Sequence, residues 1–301
     1  MRSPTAWHET TERAIPHYPN TPIPTRLRVH CPAKINLFLA VGPRDARGYH
    51  PLRTVFQAVD LCDTLEVTFS SAGAPPANPV VEVFGAELPE QNTVTKALRL
   101  SQEIFAIGVE GVRLEKRIPT QSGLGGGSSD AAGILRALNH VRAVPLEELE
   151  GLAAAIGADV PFFLTGGKAR GEGYGERITP LPDEPEQWFV IAKPPIGCST
   201  IEMYERLDER GHEWLDWAEG DTLYNDFETV APAECKDLIY LLMGAGARGA
   251  GLSGSGSAVF GRFGSRAEAE RSVRHLEAYG QVWVSKALTR AESLRIENPS
   301  N

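Results

Sequence analysis

Several absences narrow this chain before any motif is read. No apolar run approaches the roughly 20 residues that span a bilayer, so no membrane partner is expected. Met1 to Thr11 has no apolar stretch of the signal-peptide kind, which makes the cytoplasm the expected compartment. Basic charge is in the minority: 30 Lys and Arg against 39 Asp and Glu leave a formal charge of −9, which argues against nucleic acid as a partner. Cys31, Cys62, Cys198 and Cys235 are scattered and form no CxxC pair. The seven histidines show no HExxH spacing. Structural zinc, a disulfide scaffold and a metal held by side chains alone are therefore not expected, and free thiols are. No GxxxxGK[ST] occurs, since Gly167-Lys168 is followed by Ala169, and the HRD and DFG signatures of protein kinases are missing.

What is present is a globular composition. At 42% hydrophobic residues over 301 positions, the chain can bury one large or two ordinary domains. Residues 1–26 carry Pro4, Pro16, Pro19, Pro22 and Pro24 with little apolar periodicity, so an irregular extension is expected, with Trp7, Ile15 and Tyr18 as anchors should it pack as a strap. Short β-rich runs follow at 35–41, 52–60, 65–69 and 80–84, with a loop of small residues and prolines at 73–79. A helix is predicted from an Asn92 cap to about residue 106, a strand at 111–117, a helix from near Ser128, and another at 146–156. The proline-punctuated acidic tract 183–187 suggests a boundary, giving domains 27–182 and 183–301. Beyond it, strands are predicted at 188–192, 258–263 and 281–286, and helices from about 200, at 234–243 and at 266–279. Strands and helices mix without strict alternation, which favours an α+β fold in two lobes.

The most informative stretch is Pro119-Thr-Gln-Ser-Gly-Leu-Gly-Gly-Gly-Ser-Ser-Asp130, directly ahead of a predicted helix. Glycines let backbone N–H groups converge on an anion, and a helix N-terminus adds its positive dipole end. Ser128 and Ser129 can donate to phosphate oxygens or meet a phosphate-bound Mg2+, and Asp130 is a candidate helix cap or neighbour of that metal. Phosphate binding is favoured over an ordinary flexible loop. A GxGxxG at Gly244-Ala-Gly246-Ala-Arg-Gly249 follows a helix rather than a strand and is not read as a dinucleotide site. A second small-residue loop, Gly251-Leu-Ser-Gly-Ser-Gly-Ser257, leads into a strand; close approach to a ligand or to the first loop and a tight interdomain turn are equally open.

Three polar groups stand out elsewhere. Lys34 and Asn36 in Pro32-Ala-Lys-Ile-Asn36 share one face of an extended segment, with Ile35, Leu37 and Leu39 on the other. They could bind phosphate or hydroxyl groups, or form a solvated strand edge. Tyr49 and His50 lie in a Gly48-Tyr-His50 turn, where a lone histidine is more often structural. Asp159, in Gly157-Ala-Asp-Val-Pro161, either makes a turn hydrogen bond or deprotonates an acceptor hydroxyl, and spacing does not choose.

Taken in order, Pro32-Ala-Lys-Ile-Asn-Leu-Phe-Leu39, Gly48-Tyr-His50, Gly123-Leu-Gly-Gly-Gly-Ser-Ser-Asp-Ala-Ala132, Gly157-Ala-Asp-Val-Pro161 and Gly251-Leu-Ser-Gly-Ser-Gly256 resemble the GHMP kinase superfamily over about 27–290. The resemblance implies the two-lobed GHMP kinase fold with its active site in the cleft between lobes. It implies ATP-dependent phosphorylation of a small-molecule substrate at a hydroxyl, with Mg2+ bound to the ATP. The motif set is closest to members acting on the 2-hydroxyl of 4-diphosphocytidyl-2-C-methyl-D-erythritol, on the non-mevalonate route to isoprenoid precursors. It further implies Lys34 and Asp159 as a catalytic pair that also contacts substrate. Pro119, Thr120, Gln121, Ser122, Gly123, Leu124, Gly125, Gly126, Gly127, Ser128 and Ser129 match the ATP loop, with Asn92 and Lys116 beside the adenosine. Asn36, Tyr49, His50, Thr200, Tyr204 and Gly254 match substrate positions. Thr120, Gln121 and Ser122 depart from the Met, Gly or Ala usual there, with small geometric effects expected. A monomer or weak homodimer is expected. The alternatives are another small-molecule kinase of the superfamily, mevalonate- or homoserine-type, and a non-catalytic nucleotide-binding member.

Overall fold

The computed structural model describes residues 25–70, 79–217 and 222–298. The expected extension 1–26, its last two residues apart, and the expected loop at 73–79, Pro79 apart, lie outside the described residues.

Apolar alternation along the first segment yields a long strand, β1 (Arg26–Val41), buried without interruption from Cys31 onward. It pairs antiparallel with β2 (Leu52–Phe69), one strand where the residue pattern predicts two. The expected break fails because Asp63 does not turn the chain. Its buried carboxylate instead accepts the N–H groups of Arg117 and Ile118 at 2.5 and 2.8 Å. A register shift between Pro32 and Ala33 accommodates the proline, which has no N–H to give the ladder.

Next come β3 (Val80–Phe84), α1 (Thr93–Phe105) and β4 (Val109–Glu115), with β3 parallel to β4 and β4 antiparallel to β2. β4 ends earlier than the predicted strand at 111–117, because the backbone at Arg117 turns its N–H to Asp63. α2 (Gly126–Val141) begins two residues before the predicted Ser128, since the last glycines of the loop form its first turn. α3 (Leu146–Ile156) and α4 (Val160–Thr165) follow, with Pro161 in the first turn of α4, where its missing N–H costs no helix bond. The hairpin β5 (Lys168–Glu172) and β6 (Arg177–Pro180) joins β2 through β5. Its sequence, Lys-Ala-Arg-Gly-Glu, has little strand propensity; pairing with Thr54–Gln57 imposes the extended form.

The second lobe contains β7 (Trp188–Lys193), α5 (Thr200–Arg210), β8 (Tyr224–Asn225), a 3-10 turn at Asp226–Val230, α6 (Ala233–Gly244), β9 (Gly249–Leu252), β10 (Val259–Phe263), α7 (Arg266–Val273), β11 (Gln281–Lys286), α8 (Arg290–Ser293) and β12 (Ile296–Glu297). The predicted helix at 266–279 ends at Val273, and a separate 3-10 turn covers Glu277–Tyr279. β11-β7-β10-β9 form an antiparallel sheet. β8 and β12 instead return to the first sheet, β8 parallel to β1 at Phe38 and Leu39, β12 antiparallel at Arg28 and Val29.

Each lobe has its own core, and a third apolar cluster joins them. Ala33, Ile35 and Leu37 of β1, with Val59 and Leu61 of β2, meet Phe189, Ile191 and Phe260 of the second sheet. Burial of each large side chain there contributes on the order of 1.5–3 kcal/mol. Because strand side chains alternate, burying Ile35 and Leu37 on this side aims Lys34 and Asn36 at the other. That is how the core sets the site.

Candidate active site

Lys34 is buried, 3% exposed. Its Nζ donates to Asn36 Oδ1 at 2.6 Å and lies 3.7 Å from Asp159 Oδ2. Asn36 in turn donates to Thr54 Oγ1 at 2.8 Å, and Thr54 donates to the Phe38 carbonyl at 2.7 Å. The solvated-edge alternative for Lys34 and Asn36 is thus excluded: this chain of bonds fixes the ammonium in a buried position. Burial pulls the Lys34 pKa below the ordinary lysine value, and Asp159 opposes that only in part. Asp159 precedes α4 but makes no side-chain cap to it, so its carboxylate stays directed at the lysine.

The glycine loop crosses directly beneath this pair. Gly123 takes φ +74°, and a Cβ there would run into the Ser253 carbonyl oxygen. Ser253 Oγ donates to the Gly123 carbonyl at 3.0 Å, and Ala258 N–H donates to the Ser122 carbonyl at 3.0 Å, so the two small-residue loops are stitched together. Gly254, at φ +55°, faces Gly123 on one side and Lys34 Nζ on the other. Close approach, one of the two options for residues 251–257, is the one realised: the partner is the first loop. α2 has no side-chain cap, and its first turn is Gly126-Gly127-Ser128, so the N–H groups of that turn are left to a ligand.

Two cavities meet at this loop. One, of 280 Å3, is lined by Asn92, Lys116, Pro119, Thr120, Gln121, Ser122 and residues 125–128. The other, of 380 Å3, is lined by Lys34, Asn36, Thr54, Asp159, Tyr174, Thr200, Tyr204 and Gly254. Gly123, Gly125 and Ser128 belong to both walls. A larger cavity of 580 Å3 lies on the outer face of the first sheet, among Arg28, Asp60, Glu66, Glu115 and Lys286. It holds neither glycine loop nor the Lys34–Asp159 pair, and its charges mostly answer one another, as Arg28 does Glu66 at 2.6 Å and Lys286 does Glu292 at 2.8 Å.

Comparison with known proteins fits this geometry. The family model for the GHMP kinases N terminal domain matches residues 92–167, and that for the GHMP kinases C terminal matches 221–282. A 4-diphosphocytidyl-2-C-methyl-D-erythritol kinase of Solibacter usitatus is 38% identical over 267 residues, 81% of this chain and 83% of that protein. One from a Polaromonas species is 41% identical over 254 residues, 77% of this chain and 82% of that one. The chain belongs to this family of GHMP kinases. A crystal structure of a 4-(cytidine 5'-diphospho)-2C-methyl-D-erythritol kinase, 34% identical, superposes with a TM-score of 0.71 over 86% of this chain and 98% of its own. Homoserine kinase from Cytophaga hutchinsonii, 17% identical, reaches 0.70 over 93% and 100%, which shows a shared fold.

The remaining sequence-selected residues divide unevenly. Thr200 Oγ1 lies 3.0 Å from Ser255 Oγ at the cavity edge, and Tyr204 stacks on His50 at 5.0 Å between ring centroids. Tyr49 and His50 do not line the Lys34–Asp159 cavity themselves; His50 is buried, bonded to the Gly42 carbonyl at 2.9 Å, while Tyr49 is 65% exposed. Asn92 spends its side-chain oxygen capping α1, accepting from Val94 and Thr95. Lys116 is buried in an ion cluster, bonded to Asp63 and, at 2.7 Å, to Asp130. Asp130 therefore does not cap α2, whose cap position is Gly125; its carboxyl goes to Lys116 in the wall of the glycine-lined cavity. Ser129 is also fully buried, its hydroxyl without a partner, which leaves Ser128 as the loop hydroxyl on both cavity walls.

Sequence reasoning missed three supports. Asn225 donates to the carbonyls of Leu252 and Gly254, both at 2.8 Å, and so holds the second loop. Thr93 Oγ1 donates to the Gly127 carbonyl at 2.7 Å. Tyr174 closes one side of the acceptor cavity. Asn225-Asp226 between Tyr224 and Phe227 was the one available hint, a polar pair set among aromatics.

Proposed function

We propose that the chain phosphorylates the 2-hydroxyl of 4-diphosphocytidyl-2-C-methyl-D-erythritol with ATP, a step toward isoprenoid precursors. The observation that carries this is the shared wall. A glycine-lined cavity at a helix N-terminus and a cavity holding a buried lysine and a carboxylate meet at Gly123, Gly125 and Ser128. Donor and acceptor can therefore be bound on opposite sides with the reacting atoms adjacent.

Loop residues 119–123 and 125–128 take the triphosphate, whose charge the N–H groups of the first turn of α2 receive. Lys34 and Asp159, 3.7 Å apart, leave an acceptor hydroxyl room to bridge them. Asp159 accepts the hydroxyl proton; the oxygen bonds to the γ-phosphorus as the bond from that phosphorus to the β-bridging oxygen breaks, releasing ADP. Lys34, held by Asn36, orients the hydroxyl and offsets charge on the transferred group. Among the described residues no group of three or more His, Cys, Asp and Glu could hold a metal ion. Mg2+ brought in on the phosphates would have the Ser128 hydroxyl as a loop ligand and would supply neutralisation of phosphate charge. Tyr49, with Tyr204 beneath His50, suits the nucleoside end of the acceptor by ring contact. A monomer or weak homodimer suits these groups, all of which one chain carries. Four free thiols among the described residues favour a reducing cytoplasm.

The test is ADP release from Mg-ATP with the cytidine substrate, with mevalonate and with homoserine. Release that depends on the cytidine substrate is expected. Release with either of the other alcohols instead would overturn the acceptor assignment, and silence with all three would favour a nucleotide-binding role.

A further inference from the structure

The turn at residues 42–51, which carries Tyr49 and His50 to the acceptor side, is organised around Asp45. Asp45 Oδ1 accepts the N–H groups of Arg47 and Tyr49 at 2.9 and 3.0 Å, and the Asp45 N–H donates to the Tyr49 carbonyl at 2.7 Å. Its other oxygen, Oδ2, accepts the hydroxyl of Tyr174 at 2.5 Å and Arg47 Nε at 3.3 Å. Tyr174 arrives from a distant part of the chain, the tip of the β5–β6 hairpin. There its N–H donates to Glu176 at 2.5 Å, and the preceding Gly173 carbonyl accepts from Leu52 at 2.7 Å. The Arg47 guanidinium lies over the Tyr174 ring, 4.9 Å from its centroid, and the Tyr49 ring meets it edge-on at 5.7 Å. On its other flank the turn is tied to α5 through Asp208, 3.4 Å from His50 and 4.0 Å from Arg44.

We propose that the Tyr174–Asp45 hydrogen bond is a latch that holds the 42–51 turn against the acceptor cavity, making Tyr174 a positioning residue for the nucleoside end of the acceptor. The inference rests on the function proposed above. Tyr49 is too exposed for packing to fix it, so the Asp45 bonds and the Tyr174 ring are what set its place. The Tyr49 N–H most of all, with Arg47, holds the Asp45 carboxyl below its ordinary value, so a charged oxygen faces the Tyr174 hydroxyl at neutral pH. Without that hydroxyl, the tip from Asp45 to Tyr49 keeps only ring contacts on the hairpin side, with its remaining polar ties on the α5 side. A ligand needing the Tyr49 ring must then order the tip as it binds. ATP lies across the Gly123–Gly125 wall and should not register the change.

Tyr174→Phe keeps the ring and removes the latch. Two readouts are needed: steady-state ADP release with the KM of each substrate, and backbone amide exchange over 42–51 in the ligand-free protein. For loss of one charge-assisted hydrogen bond, the KM for the cytidine substrate should rise about five- to tenfold. Amides at 47–49 should exchange faster, while kcat, the KM for ATP and the melting temperature stay near wild type. Asp45→Asn should show the same pattern. Unchanged exchange would remove the latch, and faster exchange with an unchanged acceptor KM would remove its positioning role. A parallel rise in both KM values with a lower melting temperature would make Tyr174 a general structural residue. If wild-type protein gives no acceptor-dependent ADP release, the functional reading fails, while the exchange comparison still decides whether the latch exists.

Discussion

Lys34 and Lys116 are both buried, 3% and 9% exposed, and each lines a cavity wall beside the same glycine loop. Their surroundings differ in how fully the charge is answered. Lys116 contacts two carboxylates, Asp63 and Asp130; burial pulls its pKa down, but the two carboxylates together carry it above the ordinary value. Lys34 has the neutral Asn36 at 2.6 Å and, among the described residues, a single nearby carboxylate at 3.7 Å, and its pKa is lowered. A buried ammonium held between two carboxyl groups is a structural rivet. An under-matched one keeps an unmet demand for negative charge, which an incoming phosphoryl group or an ionising hydroxyl can meet.

Substitutions can break this distinction. The largest effects should fall on the Lys34 side. Asp159→Asn should lower turnover by about 10²–10⁴-fold, the range for loss of a general base, with ATP affinity by calorimetry nearly unchanged. Lys34→Ala should cost turnover about 10²–10³-fold; a selective loss of ATP binding would place the lysine on the donor side. On the other side, Lys116→Met leaves two buried carboxylates uncompensated and should destabilise the fold by about 3–5 kcal/mol in urea unfolding. A Lys116 variant of normal stability and little activity would erase the contrast.

The finest probe is pH. Burial, opposed by Lys116 and reinforced by Asp63, pushes the Asp130 carboxyl up to about 7. Between about pH 4 and 7 the unfolded chain then binds fewer protons at this residue than the folded one, so its contribution to stability falls as pH rises through that window. Asp130→Asn should flatten that part of the melting-temperature profile between pH 5 and 7.5. An unchanged profile would mean that Lys116 keeps Asp130 ionised throughout.

The helices were legible where cap and period coincide. Asn92 opens α1 and the small-residue run opens α2, because both signals are local. The continuous β2 was not legible, since Asp63 reads as a breaker until its distant partners at Arg117 and Ile118 are known. Lys34 and Asn36 could be put on one strand face, but only that face's distant partners, Thr54 and Asp159, show that it is buried. Asp130 carried a local signal for a cap, and Lys116, itself bonded to the distant Asp63, took its carboxyl instead. Tyr174 had no readable signal, and Asn225 only its place in a polar pair among aromatics, because the partners of both are supplied by folding alone.

The return of β8 and β12 to the first sheet bears on how such proteins can be recombined. Residues 183–301 supply the second sheet, two strands that flank β1, and the amide of Asn225 that places Gly254 next to Lys34. A chimera exchanging that half for one from a distant relative would alter both sheets and the acceptor wall in a single crossover. The two lobes are interlocked parts, and a viable exchange has to carry matched β1, β8 and β12 sequences across together.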